Sequence, residues 1–457
     1  MFLDLDKKER QRIAAIDDSG RSVTYGDICE FSQEFTKYLP QRSLIFLLAE
    51  NRIGSLLGYT SALSNRIVPL IISANTEESL YNHLYDLYRP EYLWMPESKA
   101  KGKEIIFSAW EYCLVKTGNQ PTPMYKELSL LLPTSGSTGS PKLVRHSYRN
   151  IEANADNVRR LFKLEGTEKA MAILPMHYTM GLSVIASHLL AGATLLLSGR
   201  SLLDKGFWAT LKKATSFTGV PYSYEILTKM RFTRMDLPNL KVITQGGGKL
   251  TEVMWNTLAQ YAQDKGKQFI ATYGQSECTA RMAYLPAEMA ISKVCSIGIA
   301  EPGGQLSLID DNGNETFEGE GQGEMVYRGE NVTLGYAACR EDLLKGDENH
   351  GIMHTGDLAR RDADGCYYII GRMKRFLKIF GLRIGLDEVE NLIKSEFKID
   401  CYCKGNDEKL IVLVTTPSVI ADLPAFIEEK IHLFHQNIEV QLVDAILRNE
   451  AGKVINQ

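Results

Sequence analysis

No CxxC pair occurs in these 457 residues. The eight cysteines stand singly at 29, 113, 278, 295, 339, 366, 401 and 403. The nearest two, Cys401 and Cys403, sit on one strand-like run and make a poor fork for a metal. Reduced thiols in a cytoplasmic protein are the expectation. The charge balance is as uneventful: 52 Lys and Arg against 56 Asp and Glu leave a net charge of -4, without the basic excess that broad nucleic-acid binding needs. A long apolar run is missing too. The most apolar stretch, residues 43–73, is broken by Glu50, Asn51, Arg52 and Arg66, short of the ~20 clean residues of a spanning helix. The first twenty residues are charged and carry no apolar signal core. The expectation is a soluble intracellular protein with no membrane insertion. Internal repeats and low-complexity tracts are lacking as well.

What is present is an ordinary globular composition, 44% hydrophobic and 24% charged, long enough for two to four compact units of roughly 100–200 residues each. Short apolar runs at residues 43–50, 66–72, 170–174 and 193–198 read as buried strands. Residues 150–162 and 250–265 read as helices between them. That alternation predicts an α/β fold with stacked, mostly parallel sheets. From Gly303 the texture changes. Strands at 305–310 and 324–328 flank the turn-rich acidic loop 311–323, which predicts an antiparallel, barrel-like part over about 300–372. Beyond it, an acid-led helix at 387–396, a strand at 410–415 and a helix at 424–434 predict a small α+β unit. The expected boundary lies near residue 373, giving domains 1–373 and 374–457.

Four segments carry chemistry. In LSLLLPTSGSTGSPK (128–142) an apolar strand runs into Thr134, Ser135, Gly136, Ser137, Thr138 and Gly139, and closes on Lys142. Glycines let backbone N–H groups converge, and hydroxyls and a lysine add donors, so the loop suits phosphate oxygens. It is not the GxxxxGK[ST] loop of a P-loop NTPase, because Gly139 and Lys142 are not adjacent. ATYGQSE (271–277) offers an aromatic face for a purine, a hydroxyl for phosphate and a carboxylate for Mg²⁺. QGGGK (245–249) follows a strand and lets a flat ligand approach the backbone; a plain tight turn is the alternative. HTGDLARRDADGCYYIIGR (354–372) places Asp357 at a sharp turn, where it would grip a ribose diol, and contains the hairpin signal DADG at 362–365.

Taken in this order, the four segments resemble the adenylate-forming superfamily of acyl-CoA synthetases, adenylation domains and luciferases. GSTGSPK is similar to its phosphate loop, YGQSE to its YGxTE motif, and TGD with GRMKRFLKIFGLRIGLDEVE to its ribose and hinge motifs. The similarity extends from about Gly20 to Lys453. It implies a large N-terminal domain and a small mobile C-terminal one. It also implies that Thr134, Ser135, Ser137, Thr138 and Lys142 wrap the ATP phosphates, with Gly136 and Gly139 shaping the loop. Gly246, Gly247, Gly248 and Tyr273 would hold adenine, with Gly274 beside them in the nucleotide site, Ser276 the α-phosphate and Glu277 the Mg²⁺. Asp357 would bind the ribose, with Arg372 beside it. Lys374 falls at the hinge position, Gly381 beside the thiol tunnel, and Lys453 at the lysine of the adenylation step. Ser276 replaces the motif's threonine and keeps its hydroxyl.

By the same resemblance, Leu174–Ser183 walls the acid pocket, with Tyr178 facing the carboxyl end, and Val220, Pro221, Tyr222, Tyr224 and Gly248 complete it. Relatives that activate amino acids place an aspartate after that aromatic; here it is Thr179. An ammonium left unpaired in a closed pocket is costly, so the expected substrate is a small or medium aliphatic or aryl acid. His177 and His188 read as wall or core residues. Arg281 reads as a surface ion pair or as a partner for a polar end of the substrate. The implied activity is ATP-dependent formation of an acyl-AMP, followed by transfer to a thiol. Coenzyme A is the expected acceptor and the phosphopantetheine of a carrier protein the alternative. A catalytically silent nucleotide or acyl-AMP binder is the reading from another class.

Overall fold

The computed structural model describes residues 1–133, 142–373, 375–379, 382–406, 408–431, 433–448 and 454. The chain divides into two compact units. One comprises residues 1–295, 300–305 and 328–353; the other comprises 296–299, 306–327 and 354–457.

Two sheets build the first unit. In one, strands Gln268–Tyr273, Val242–Gln245, Ser216–Gly219, Lys169–Ala172, Thr194–Leu197 and Ile13–Ile16 lie side by side in that order, all parallel. In the other, Leu128–Pro133, Val68–Ser73, Leu44–Ala49 and Tyr92–Pro96 form a parallel centre, with antiparallel strands at both ends. The strands of these centres are almost wholly buried, as sheets covered on both faces require, which is why they read as unbroken apolar runs. Helices Tyr25–Phe35, Ile53–Ser64 and Thr179–Leu190 contribute Phe31, Leu56 and Val184 to the same core cluster as strand residues Ala15, Leu47 and Leu195. The helix at Tyr25 starts on a full capping box, Thr24 with Asp27.

The second unit holds a five-stranded sheet and a small α+β part. In the sheet, Glu315–Thr316 pairs antiparallel with Gly304–Ile309, and Ile352–Arg361 with Tyr367–Arg372 across the DADG turn. The α+β part packs helices Leu386–Phe397 and Leu423–Ile431 on strands Cys401–Gly405, Leu410–Val414 and Ile438–Leu442. Its own core includes Val389, Ile393, Val412, Leu423 and Ile427. Cys401 and Cys403 are buried in that core as free thiols, as are the other six cysteines free. One expectation fails here. Thr355, Gly356 and Asp357 form no sharp turn but lie inside the ten-residue strand Ile352–Arg361. The kink that the glycine signalled is a local irregularity: Gly356 adopts φ +67°, and the register shifts just after it. Among the described residues no helix is long and apolar enough to cross a membrane.

Candidate active site

Parallel strands end together at one edge of their sheet, and the turns that leave them there gather side chains from distant parts of the sequence. The turn after Gln268–Tyr273 is the tightest. A Cβ on Gly274 would stand 1.7 Å from the Ala280 carbonyl oxygen, so only glycine fits. Thr279 and Ala280 take left-handed φ values of 50° and 89° to close it. Asn331 then pins the turn from outside: its amide donates to the carbonyls of Cys278 and Arg281, each at 2.9 Å. Thr333 donates twice to the carbonyl of Glu277, through its N–H and its hydroxyl.

This scaffold fixes two of the expected groups. The Ser276 hydroxyl lies 3.3 Å from the Thr179 hydroxyl, on the first residue of the helix Thr179–Leu190. The half-buried Glu277 carboxylate accepts a 2.6 Å bond from the Tyr336 phenol. Burial, chiefly, and the neighbouring Glu277 carboxylate push the Tyr336 pKa up, so the phenol stays a donor. Lys142, exposed, holds its ammonium 5.8 Å from the centre of the Tyr336 ring. A carboxylate fixed by one phenol, beside hydroxyls, is a hard oxygen set. It fits Mg²⁺ held mainly by nucleotide phosphates, an arrangement that needs no cluster of protein ligands. No group of three or more His, Cys, Asp and Glu able to hold a metal occurs among the described residues.

The glycine turn after Val242–Gln245 lies alongside. Gly247 adopts φ +77°, and a Cβ on Gly246 would meet the Met180 methyl at 2.7 Å and the Thr272 hydroxyl at 2.8 Å. Gly248 closes against Pro221, the first residue of the helix Pro221–Lys229, and its carbonyl accepts from the Gln245 amide. Gly247 and Gly248 are exposed, which leaves backbone open to a flat ligand. Tyr178 caps the helix at Thr179, with the His177 ring 4.4 Å from its own. Burial holds His177 down to a pKa of about 4, so it is neutral near pH 7. Val220 is buried and Tyr222 is 58% exposed. Tyr224 turns inward instead, fully buried, and donates to the Thr244 carbonyl at 2.6 Å.

Arg281 is no surface ion pair. It is 1% exposed, donates from Nη1 to the Ser183 hydroxyl at 2.7 Å, and stands 5.4 Å over the Phe162 ring. Burial lowers its pKa to about 10, which still leaves it charged at neutral pH. His188 is the satisfied core histidine expected: Nδ1 lies 2.8 Å from the Val184 carbonyl oxygen and Nε2 3.4 Å from the Ser216 hydroxyl.

In the second unit, the buried Asp357 carboxylate meets Arg372 Nε at 3.0 Å, the two residues standing opposite each other on paired strands. Thr355 donates to the Met325 carbonyl and accepts from the Asp357 N–H, which sets that strand's irregular stretch. Thr134 to Gly139 lie outside the described residues, as do Lys374, Gly381 and Lys453. The strands flanking the 134–141 segment are described; they pair antiparallel, with Pro133 opposite Leu143.

Sequence reasoning missed Tyr336, Asn331, Thr333 and Arg145. All four act through the 330–348 segment. Fully buried, Arg145 donates to the carbonyls of Leu334, Tyr336, Lys345 and Gly346 and to Glu348. The signal available was slight: an arginine after Leu143 and Val144 in the short strand Leu143–Ser147, LVRHS, which also carries His146 and Ser147.

A layered α/β unit with tight glycine turns at the ends of its parallel strands, gathering the Thr179 and Ser276 hydroxyls and the Glu277 carboxylate, is the class of fold that the first unit presents. The AMP-binding enzyme family matches residues 4–337, and the chain belongs to that family. Among known proteins, the chain is 28% identical over 344 residues to oxalate–CoA ligase of Arabidopsis thaliana, covering 71% of this chain and 66% of that protein. It is 30% identical over 311 residues to feruloyl-CoA synthase of an Amycolatopsis species, covering 67% and 62%. The matches thus span no more than about two thirds of these relatives' length. The fold is similar to that of O-succinylbenzoate coenzyme A synthetase from Bacillus subtilis in complex with AMP. The TM-score is 0.79 at 18% identity, over 99% of this chain and 96% of that one.

Proposed function

We propose that the chain is an ATP-dependent carboxylic acid ligase that makes an acyl-AMP and then passes the acyl group to the thiol of coenzyme A. The observation that carries this reading is the meeting of Thr179, Ser276 and Tyr336-held Glu277 at one edge of a parallel sheet, beside an open glycine turn. The names of the relatives, CoA ligases and synthetases, support it.

In the first step a carboxylate oxygen attacks the α-phosphorus of ATP, and the bond to the β-phosphate breaks. Ser276 and Thr179 offer hydroxyl donors to the oxygens on which charge gathers. Lys142, with Thr134, Ser135, Ser137 and Thr138, would hold the departing pyrophosphate. Asp357 would take the ribose hydroxyls, oriented by Arg372. Mg²⁺ on Glu277 would supply charge neutralisation for the phosphates. No base is required, because the acid arrives ionised, and the neutral His177 is consistent with that. In the second step a thiolate attacks the acyl carbon and AMP departs. The two steps need different surroundings. We assign the switch to a C-terminal domain beyond residue 373, turning at Lys374, with Lys453 serving adenylation and Gly381 the thiol. Thr179, in place of an acid, argues against α-amino acid substrates.

The test is incubation with ATP, Mg²⁺ and a library of carboxylic acids, with and without coenzyme A, reading AMP, pyrophosphate and new acyl masses. AMP with acyl-CoA masses is the expected result. Acyl-AMP without a thioester would move the acceptor to a carrier protein. No AMP with any acid would leave a silent nucleotide binder.

A further inference from the structure

We propose that the acid activated here is a dicarboxylate, and that Arg281 receives its second carboxylate. The inference rests on the ligase reading above and names the substrate class of the same site.

The first unit contains a cavity of about 420 Å³ against the face of the parallel sheet. Its wall includes Arg281, Val184, Ser187, His188, Thr218 and Thr244. The hydroxyls and the imidazole of this wall are bonded within the protein: Ser187 donates to the Ser183 carbonyl, Thr244 to the Thr218 hydroxyl, and His188 meets the Val184 carbonyl, whereas a buried polar group left unbonded costs free energy. Arg281 is such a case. A guanidinium carries five N–H donors. Nη1 is taken by Ser183, while Nε has no hydrogen-bond partner among the described residues. The nearby buried carboxylate, Glu301, accepts instead from Asn157 and Asn331.

The charge around the cavity points the same way. Among the described residues of its wall the one acid is Glu168, which lies 3.0 Å from the Lys241 ammonium. Lys163 remains without an acid in the described wall, and Arg281 feels the charge of the buried Glu301 without a hydrogen bond to it at Nε. Phe162 covers the guanidinium, and a cation screened from water by an aromatic wall binds an anion more strongly than an exposed one. A carboxylate matches the planar fork.

Length follows from the helix that the cavity shares with the reacting site. Thr179, its first residue, stands at Ser276; Ser183, four residues on, holds Arg281. At 1.5 Å rise per residue these are about 6 Å apart along the axis. That spacing suits acids of about five to seven carbons between and including the two carboxyls, or an aromatic diacid of similar span.

The test compares glutarate, adipate and terephthalate with monoacids of matched length, using pyrophosphate release by the full chain. The expected preference for diacids is roughly 10²-fold in kcat/KM. Arg281→Met should remove it and raise turnover of the methyl-ended acids, while Arg281→Lys retains part of the diacid preference. Circular dichroism and a melting curve confirm that each variant is folded. In parallel, calorimetry measures glutarate and pentanoate binding to the parent protein. Activity confined to monoacids would overturn the inference and leave the ligase reading standing. No AMP with any acid would end the ligase reading and with it the dicarboxylate as an activated acid; the assignment of Arg281 as a carboxylate site would then stand or fall on whether glutarate binds more tightly than pentanoate. If Arg281→Met does not fold, that same binding comparison on the parent decides.

Discussion

Replacing Arg145 by methionine should loosen the first unit and disturb its chemistry together. Methionine keeps most of the apolar stem but none of the donors. The structure assigns the guanidinium five bonds: Nε to the Tyr336 carbonyl, Nη1 to those of Lys345 and Gly346, and Nη2 to Leu334 and the Glu348 carboxylate. Glu348 is 47% exposed, so its ion pair is screened by water and adds little. The carbonyl bonds carry the effect, at about 0.5–1.5 kcal/mol net each. The whole loss is about 4 kcal/mol, in the range of a broken buried network. At about 2–4 °C per kcal/mol, the melting temperature falls by roughly 8–16 °C. Tyr336 is tied to Arg145 through its carbonyl and to Glu277 through its phenol, so pyrophosphate release should fall even at temperatures where the variant is folded. Arg145→Lys keeps the charge but loses the fork, and should recover less than half the stability. Thermal unfolding followed by circular dichroism reads all three proteins. A methionine variant melting within about 2 °C of the parent would refute the assignment of this arginine as the tether of the 334–348 segment.

Two further outcomes follow from burial and from the tight turn. His146 and His188 are fully buried, and burial lowers both pKa values from 6.5 to about 4. The unfolded chain binds their protons first, so stability is complete above about pH 6.5 and declines as the pH falls toward 4. Between pH 6.5 and 5 each should cost about 2 kcal/mol, read from urea unfolding at the two pH values. Equal stability at both would show that these rings are not held neutral. Gly274→Ala drives a Cβ into the Ala280 carbonyl at 1.7 Å, so the Ser276–Glu277 segment must move. Pyrophosphate release should fall roughly 10²-fold in a protein that still folds, and an unchanged rate would mean that the turn yields without moving the site.

The parts of the fold that were legible share a physical cause. Buried parallel strands must be apolar on both faces, so residues 43–50 and 66–72 announced Leu44–Ala49 and Val68–Ser73. DADG announced the hairpin because its turn chemistry is local. Gly247 and Gly274 were legible for the same reason: a left-handed φ, or a 1.7 Å approach, leaves no alternative residue. Tyr336, Asn331 and Arg145 were not legible, because their roles lie in partners 50 to 203 residues away in sequence. The TGD segment misled in its own way. Its glycine signalled a kink correctly, with φ +67° at Gly356, but pairing with Tyr367–Arg372 resumes at Asp357 and keeps the segment within one strand instead of a turn.

The two buried arginines of the first unit show how structure separates a tether from a binding group. Both belong to its largest wholly buried side chains. Arg145 gives every side-chain nitrogen to an acceptor within the protein, four of these acceptors being backbone carbonyls. Such a group holds two segments together, and a ligand could only compete with what is already bonded. Arg281 has a single hydroxyl from Ser183, an aromatic face from Phe162, the field of the buried Glu301 carboxylate, and an Nε lacking an acceptor among the described residues. A buried charge in that condition is expensive to maintain, and a fold that needed only packing at residue 281 would be more stable with an apolar side chain there. The expense is consistent with selection for something that arrives later with an acceptor of its own. In an enzyme that activates one carboxylate at Thr179 and Ser276, a second carboxylate a short helix-turn away is the acceptor whose charge, geometry and distance all match.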